Sequence, residues 1–426
     1  MTTGEDPDFG QVLEVTRQVL SRGRAKVAAL FGPHLEVSAQ GSWVYTQNGT
    51  RYLNAGGYGV FLLGARHPVV EEAVVNQIRS LPLSSRLLLE PAIAEAAHAL
   101  TSVAPAGMCH VYFGTSGAEA VEAALKMARA KGKRRLISAV DGYHGRTMGA
   151  LTVSAREMYQ APFRPLLPDA TSVAFGNADA LAAELRRGPE ACVIVEPVQG
   201  EAGVRIPPAG YLTRVEQLCR EHRAFLVLDE ILTGLGRVGT WWGADRERVR
   251  PDAVVVGKTL SGGIVPVAAT LATTEAFIEF DRDPLLHVGT FSGAPIAMAA
   301  ARATITVIRN EGLVERSAVL GERLLAGLRD AVDAHCGHLV RDVRGAGLLL
   351  GVELVDPGTA GELITALLAE QVIVNHSLNS HGVVRLTPPA IMTTAETDFL
   401  LTAFEAACRR IAATHRPSGS TAAGRR

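Results

Sequence analysis

Between about residue 90 and residue 310 the chain alternates short apolar runs with amphipathic stretches, and some runs have no polar face at all. Leu226-Val227-Leu228 in FLVLDE is continuously apolar, as is the run before Gly257-Lys258. Such runs suit strands buried on both sides, and hence a largely parallel sheet covered by crossover helices. The strands expected are His110–Phe113, Leu136–Val140, Cys192–Glu196, Phe225–Asp229, Ala253–Val256 and Pro266–Leu271. Helices are expected from Ser116-Gly117 to about Ala130, over Tyr211–His222 and over Ala297–Arg309.

Both flanks read differently. Residues 1–35 suggest a polar start and then an amphipathic helix with Val12, Val15, Val19 and Leu20 at apolar positions. From Gly41 to Asn54, Trp43, Tyr45 and Tyr52 alternate with polar residues around Asn48-Gly49, a hairpin pattern. A helix over Val69–Ile78 follows. Beyond a long helix ending near His335 come strands Val340–Val343, Leu348–Leu354 and Val383–Leu386, with helices Glu362–Glu370 and Ala395–Ala412. That order describes a smaller α+β lobe. The tail from Pro417, PSGSTAAGRR, is too poor in apolar residues to be expected to fold.

Composition removes several function classes. A net charge of −1 provides no global field for nucleic acid or anionic lipid. No apolar run reaches the length of a spanning helix, and the acidic start MTTGEDPDFG is unlike a secretory signal. The 5 cysteines are scattered and never spaced CxxC, which points to reduced thiols in the cytoplasm and to no metal site. Of 42 basic residues only Lys26, Lys126, Lys131, Lys133 and Lys258 are lysines. Lys258 alone has an apolar, strand-end setting.

A lysine at that place either reaches solvent or is desolvated. In the second case its ammonium is disfavoured and a neutral amine can condense with an aldehyde. The surrounding GKT is not a phosphate-binding P-loop, because Asp252 stands where the first glycine is required. Asp229 ends the FLVLDE strand, where it either caps a helix or holds a heterocyclic nitrogen protonated. Ser116-Gly117-Ala118 opens a helix and offers free N–H groups to a phosphate, although Ser116 with Glu119 also forms a capping box. Gly234 to Gly239 matches GxGxxG but neither follows its strand directly nor opens an apolar helix. Arg385, inside the apolar VVRLTPP, needs an anionic partner. Glu196 and Glu201 in VEPVQGEAG are the candidates, for a structural ion pair or for a clamp on a substrate carboxylate.

In order along the chain, FGTSGAEAVEAALKMAR, DGYHGRTMGAL, EPVQGEAGV, LVLDEILTG, GKTLSGG, HVGTFSGAP, VRGAGLLLGVEL and VVRLTPP resemble the class III aminotransferases, the ornithine, acetylornithine and 4-aminobutyrate group. These are pyridoxal 5′-phosphate enzymes of fold type I. The resemblance implies an α/β fold: a large domain with a mostly parallel seven-stranded sheet, and a small α+β domain built from both chain ends. The implied division is 1–60 and 326–414 for the small domain and 61–325 for the cofactor domain, with 415–426 a tail.

The resemblance also implies roles. Lys258 would form the internal aldimine and shuttle the substrate proton, and Asp229 would pair with the pyridine nitrogen. Ser116, Gly117 and Ala118 would hold the phosphate, and Thr290 would reach a phosphate across a homodimer. Tyr143 would stack on the ring with His144 beside it, Ile231 would pack the other face, and Glu196 would lie close. In glutamate-using members a glutamate at the place of Glu201 shields an arginine at that of Arg385, then swings away so the arginine can bind a carboxylate. Tyr58 would face the substrate.

Two departures stand out: Leu232 replaces the family's usual glutamine, which bonds the cofactor's phenolic oxygen, and Ala294 replaces the usual asparagine of GGNP. The expected activity is transfer of an amino group between an amine or amino acid and a 2-oxo acid, with glutamate and 2-oxoglutarate as the pair. Leu232 motivates an alternative on the same site: racemisation, decarboxylation, or β/γ-elimination or replacement, for example on S-adenosylmethionine. A third reading, a binding protein without activity, is opposed by the intact Lys258 and Asp229.

Overall fold

The computed structural model describes residues 8–415. The expectations for the tail from Pro417 and for the first seven residues lie outside the described residues.

The N-terminal helix is broken: Phe9–Val15 and Arg22–Leu30 are α-helical, and Thr16–Leu20 between them is a π-helical stretch. Val15, Val19 and Leu20 are exposed, so the expected apolar face does not pack on this chain's own core. Strands β1 (Glu36–Gln40), β2 (Trp43–Thr46) and β3 (Arg51–Asn54) follow as an antiparallel meander. The β2–β3 pair is the expected hairpin; β1 is an addition to it.

The central sheet comprises β4 (His110–Gly114), β5 (Arg135–Ala139), β6 (Ala170–Val173), β7 (Ala191–Val195), β8 (Phe225–Asp229), β9 (Ala253–Val256) and β10 (Ala268–Ala272). Its order is β4-β10-β9-β8-β7-β5-β6, with β10 antiparallel to both neighbours and the remaining pairs parallel. β7 and β8 are buried at every position, as continuous apolar runs require. The helices over Gly117–Ala130, Tyr211–Glu221 and Pro295–Asn310 cover the sheet through their buried faces.

After the 23-residue helix Leu313–His335 come β11 (Val340–Ala346), β12 (Leu349–Leu354), β13 (Val372–Ile373), β14 (Asn375–Ser377) and β15 (Ser380–Leu386). β11, β12, β15 and β14 form an antiparallel sheet, and β13 joins β3 in parallel. The two ends of the chain therefore build one lobe together. The helix expected at Glu362 starts earlier, at Pro357, because Asp356 caps it through the N–H groups of Gly358 and Thr359. The expected boundary at residue 325 falls inside the helix Leu313–His335. Among the described residues no helix is long and apolar enough to cross a membrane.

Candidate active site

Because β4, β5, β7, β8 and β9 run in one direction, their carboxyl ends lie along one edge of the sheet, where open α/β folds place their ligands. From that edge β4 leads to Ser116, β5 to Tyr143 and His144, β7 to Glu196, β8 to Asp229 and β9 to Lys258. The loops enclose a cavity of about 280 Å³ lined by Gly117, Ala118, Tyr143, His144, Glu196, Glu201, Asp229, Ile231 and Lys258. Together with Leu232, ten residues singled out in the sequence thus share one wall system. Gly145 and Arg146 complete it.

Asp229 is buried and doubly engaged. Its Oδ1 accepts the N–H of Ile231 at 3.0 Å, and its Oδ2 lies 2.6 Å from Nδ1 of His144. Burial alone would depress the His144 imidazole, but the bond to Asp229 and the charges of Asp229 and Glu196 reverse this and hold it above its ordinary value. Glu196 accepts N–H groups of Tyr143 (3.0 Å) and Gly200 (3.3 Å). Burial pushes its carboxyl up to about 7, with His144 pulling downward and Asp229 adding to the rise. Burial lowers the Lys258 amine, and Glu201 opposes that shift. A backbone φ of 41° at Lys258, rare for a side chain of this kind, fixes where the amine enters the cavity.

Ser116 caps the helix Gly117–Ala130, its Oγ accepting the Glu119 N–H at 3.3 Å. Glu119 does not return to Ser116, as the expected capping box requires; its Oε2 takes the N–H and hydroxyl of Thr115 instead. The N–H groups of Gly117 and Ala118 have no partner among the described residues and face the cavity from a helix N-terminus, a setting for an anion. A Cβ at Gly117 would stand 2.8 Å from Cδ1 of Ile231, so a larger residue there would push that side chain aside.

Glu201 and Arg385 meet as expected, in a buried ion pair of 2.7 Å between Oε1 and Nη1. Burial would raise the Glu201 carboxyl, but Arg385, Lys258 and the Leu378 N–H bring it below its usual range. Behind the pair lies Arg237, the arginine of the GxGxxG-like run, completely buried and bonded to the carbonyls of Pro388 (2.7 Å), Leu348 (3.3 Å) and Gly59 (3.4 Å). Burial, with Arg385 nearby, lowers its guanidinium to about 9. That glycine-rich run is therefore a turn that grips carbonyls from both ends of the chain.

Tyr58 and Thr290 stand apart from the cluster. Tyr58 lies in the Gly57–Gly59 turn and is 54% exposed, while its neighbour Gly59 is the residue that touches Leu232. Thr290 is exposed on the turn before the helix Pro295–Asn310. Sequence reasoning missed Arg146. Its guanidinium carbon lies 3.4 Å from the Tyr159 ring centroid and 5.4 Å from that of Tyr143, a stacked cation at the cavity mouth. Its place two residues after His144 was the one signal available.

Comparison with known proteins agrees with this geometry. A family model described as aminotransferase class-III matches residues 32–408. An ornithine aminotransferase from Toxoplasma gondii is 28% identical, with a TM-score of 0.87 over 95% of each chain. A transaminase from the marine bacterium Virgibacillus is 26% identical, with a TM-score of 0.87 over 95% of this chain and 99% of its own. An omega transaminase from Pseudomonas jessenii, solved in complex with PMP, is 28% identical, with a TM-score of 0.85 over 93% and 96%. With a family model matched over most of its length, the chain belongs to the class III aminotransferases.

Proposed function

We propose that this pyridoxal-phosphate-dependent aminotransferase exchanges amino groups between an amine or amino acid and a 2-oxo acid, with glutamate and 2-oxoglutarate as the dicarboxylic pair. The observation that carries the choice of pair is the buried contact of Arg385 with Glu201, which itself lines the cavity and so stands between the guanidinium and the cavity. A carboxylate substrate can take the place of Glu201 on the guanidinium, whereas an uncharged side chain is better met with the pair closed. Arg146, exposed at the mouth and free of any carboxylate partner among the described residues, is a second contact for an anionic substrate.

The residues present fit pyridoxal phosphate. The cavity offers unpartnered N–H groups at a helix start, a buried carboxylate, and a half-buried lysine whose amine has its proton affinity lowered. When bound, the cofactor supplies an aldehyde that links to amines and a ring that takes up an electron pair. In this reading Lys258 is the amine that holds the cofactor and afterwards carries the substrate proton. Asp229, braced by His144, keeps a proton at the ring nitrogen. Ser116, Gly117 and Ala118 hold the phosphate, with the partner's Thr290 completing the contact. Tyr143 and Ile231 supply the ring walls, Glu196 borders them, and Tyr58 approaches the substrate from the small lobe.

The same reading makes the protein a cytoplasmic homodimer with a cofactor domain and a two-ended small domain. Leu87, Leu88 and Leu89, at 92%, 79% and 104% exposure, support a self-association surface. The decisive experiment mixes holoenzyme with single amino donors in the absence of a 2-oxo acid. Conversion of the bound cofactor to its amine form, its reversal by 2-oxoglutarate, and loss of both in Lys258→Ala are expected. Continuous turnover without a 2-oxo acid, yielding products with new bonds, would instead establish the replacement chemistry that Leu232 suggests.

A further inference from the structure

Arg86 spends its guanidinium on backbone carbonyls. Its Nη1 donates to the carbonyls of Gly289 and Thr290 (3.0 Å to the latter), and its Nη2 donates to that of Ser292 at 2.7 Å. No carboxylate lies in ion-pair range of it among the described residues. The residue itself is held at φ 64°, in the left-handed region. The segment it grips is a tight turn, closed by the Ser292 N–H to the Gly289 carbonyl at 3.1 Å and fastened below by Tyr112 Oη to Ser292 Oγ at 3.2 Å.

The geometry of a trans peptide then dictates what the turn shows to the outside. C=O and N–H of one peptide unit point in opposite directions. With the Gly289 and Thr290 carbonyls turned toward Arg86, the N–H groups of Thr290 and Phe291 face away from it. Neither N–H, nor the Thr290 hydroxyl, has a partner among the described residues. Three donors and a nearby uncompensated cation make an outward-facing anion cradle. It stands on the surface that also exposes Leu87–Leu89 and Phe291.

We propose that Arg86 is the positioning residue of a phosphate-binding turn, Gly289–Ser292, that each copy of this chain presents to the cofactor phosphate of a second copy. The inference rests on the reading above in which Thr290 completes a partner's site. Arg86 touches neither cofactor nor substrate; it sets the direction of the donors that do.

The test compares T290A, R86Q, R86K and the T290A/R86Q double variant by dissociation constants for pyridoxal phosphate and for pyridoxal, which lacks the phosphate. Sedimentation fixes the oligomeric state of each variant. The expected result is about tenfold weaker binding of pyridoxal phosphate in T290A and in R86Q. The double variant should fall short of the product of the two effects, R86K should recover part of the loss, and pyridoxal affinity should stay constant. If T290A weakens the phosphate ligand and R86Q does not, the role of Arg86 is overturned while that of Thr290 stands. If T290A itself has no effect, the reading beneath fails. Equal loss for pyridoxal, full additivity, or loss that only follows dimer dissociation each overturn the proposal as well.

Discussion

Glu201 Oε1 lies 2.7 Å from Nη1 of Arg385, yet Nε and Nη2 of the same guanidinium have no partner, and even the Nη1 contact is an ion pair without an aligned hydrogen bond. Glu201 is held from its other oxygen by the Leu378 N–H at 2.9 Å. A side chain with five donors, 1% exposed and joined to one carboxylate oxygen, is under-satisfied in a way that a substrate carboxylate can correct.

Arg385→Leu should therefore lower kcat/KM for 2-oxoglutarate by about a hundredfold or more, chiefly through KM, while leaving a monoamine donor much less affected. Glu201→Gln should lower KM for the dicarboxylate and destabilise the apoprotein by about 3 kcal/mol, because Arg385 is left buried without its counter-ion. Steady-state kinetics on the two substrate classes, with denaturant unfolding, checks both. Equal losses on both substrates would detach the pair from carboxylate recognition.

Stability should depend on pH with two opposite signs. Glu196 and Glu230 are both pushed up to about 7 by burial, Glu230 despite hydrogen bonds from Thr233, Gly243 and Ala244. Their folded state keeps protons that the unfolded chain releases above its ordinary value of 4.5, so stability falls as pH rises from there to about 7. Glu196→Gln should remove its share of that fall, at most about 3 kcal/mol. Glu201, lowered, behaves conversely: its contribution is complete above the ordinary carboxylate value and is lost as pH falls through the folded one. Unfolding of the apoprotein followed from above the raised value of about 7 down to well below the ordinary carboxylate value of 4.5 separates them.

Asp229→Asn should act on His144 as well as on the cofactor. Without the carboxylate, burial is opposed only by Glu196, so the imidazole pKa should drop. The histidine ring resonances report this directly. Transamination should fall by about two to three orders of magnitude, the scale of removing one preorganised charge from a reaction site.

Much of this was legible in the sequence because the strands bearing the site are buried on both faces. Phe225–Asp229 and Ala253–Val256 have the same limits in the structure as in the reading, and Asp229 and Lys258 stand at their ends. The half-exposed edge strand Ala170–Val173 carries no such signal in ATSV, and the reversal of Ala268–Ala272 is a property of its neighbours rather than of its residues. The early helix start at Pro357 was masked by Gly358 and Gly361, although Asp356 and Pro357 are good start residues. Arg146 and Arg237 escaped notice for a related reason. An arginine between glycines looks the same whether it stacks on a tyrosine, grips three carbonyls from distant parts of the chain, or reaches solvent.

Leu232 offers the most discriminating test of what sets this chain's chemistry. Its two methyls are seated against glycines: a Cβ on Gly200 would collide with Cδ2, and one on Gly59 with Cδ1. Gly59 has φ 77°, so an alanine there is strained whatever the space, but Gly200 has no such constraint and its alanine tests the contact alone. Gly200→Ala should cost about 1–3 kcal/mol by overpacking, and in the Leu232→Ala background that cost should largely vanish. Leu232→Gln places an amide against the apolar Val198, Val204, Val238 and Leu349, on a wall that also carries Lys258 and Glu201. The apoprotein should lose about 1–3 kcal/mol for an amide buried against those apolar side chains. If the cofactor's oxygen faces this position, holoenzyme should recover most of that loss, and the absorbance of the bound cofactor should titrate at a different pH from the parent protein. An equal loss in apoprotein and holoenzyme, with an unmoved spectrum, would place Leu232 in the packing of the cavity wall and outside the control of the reaction.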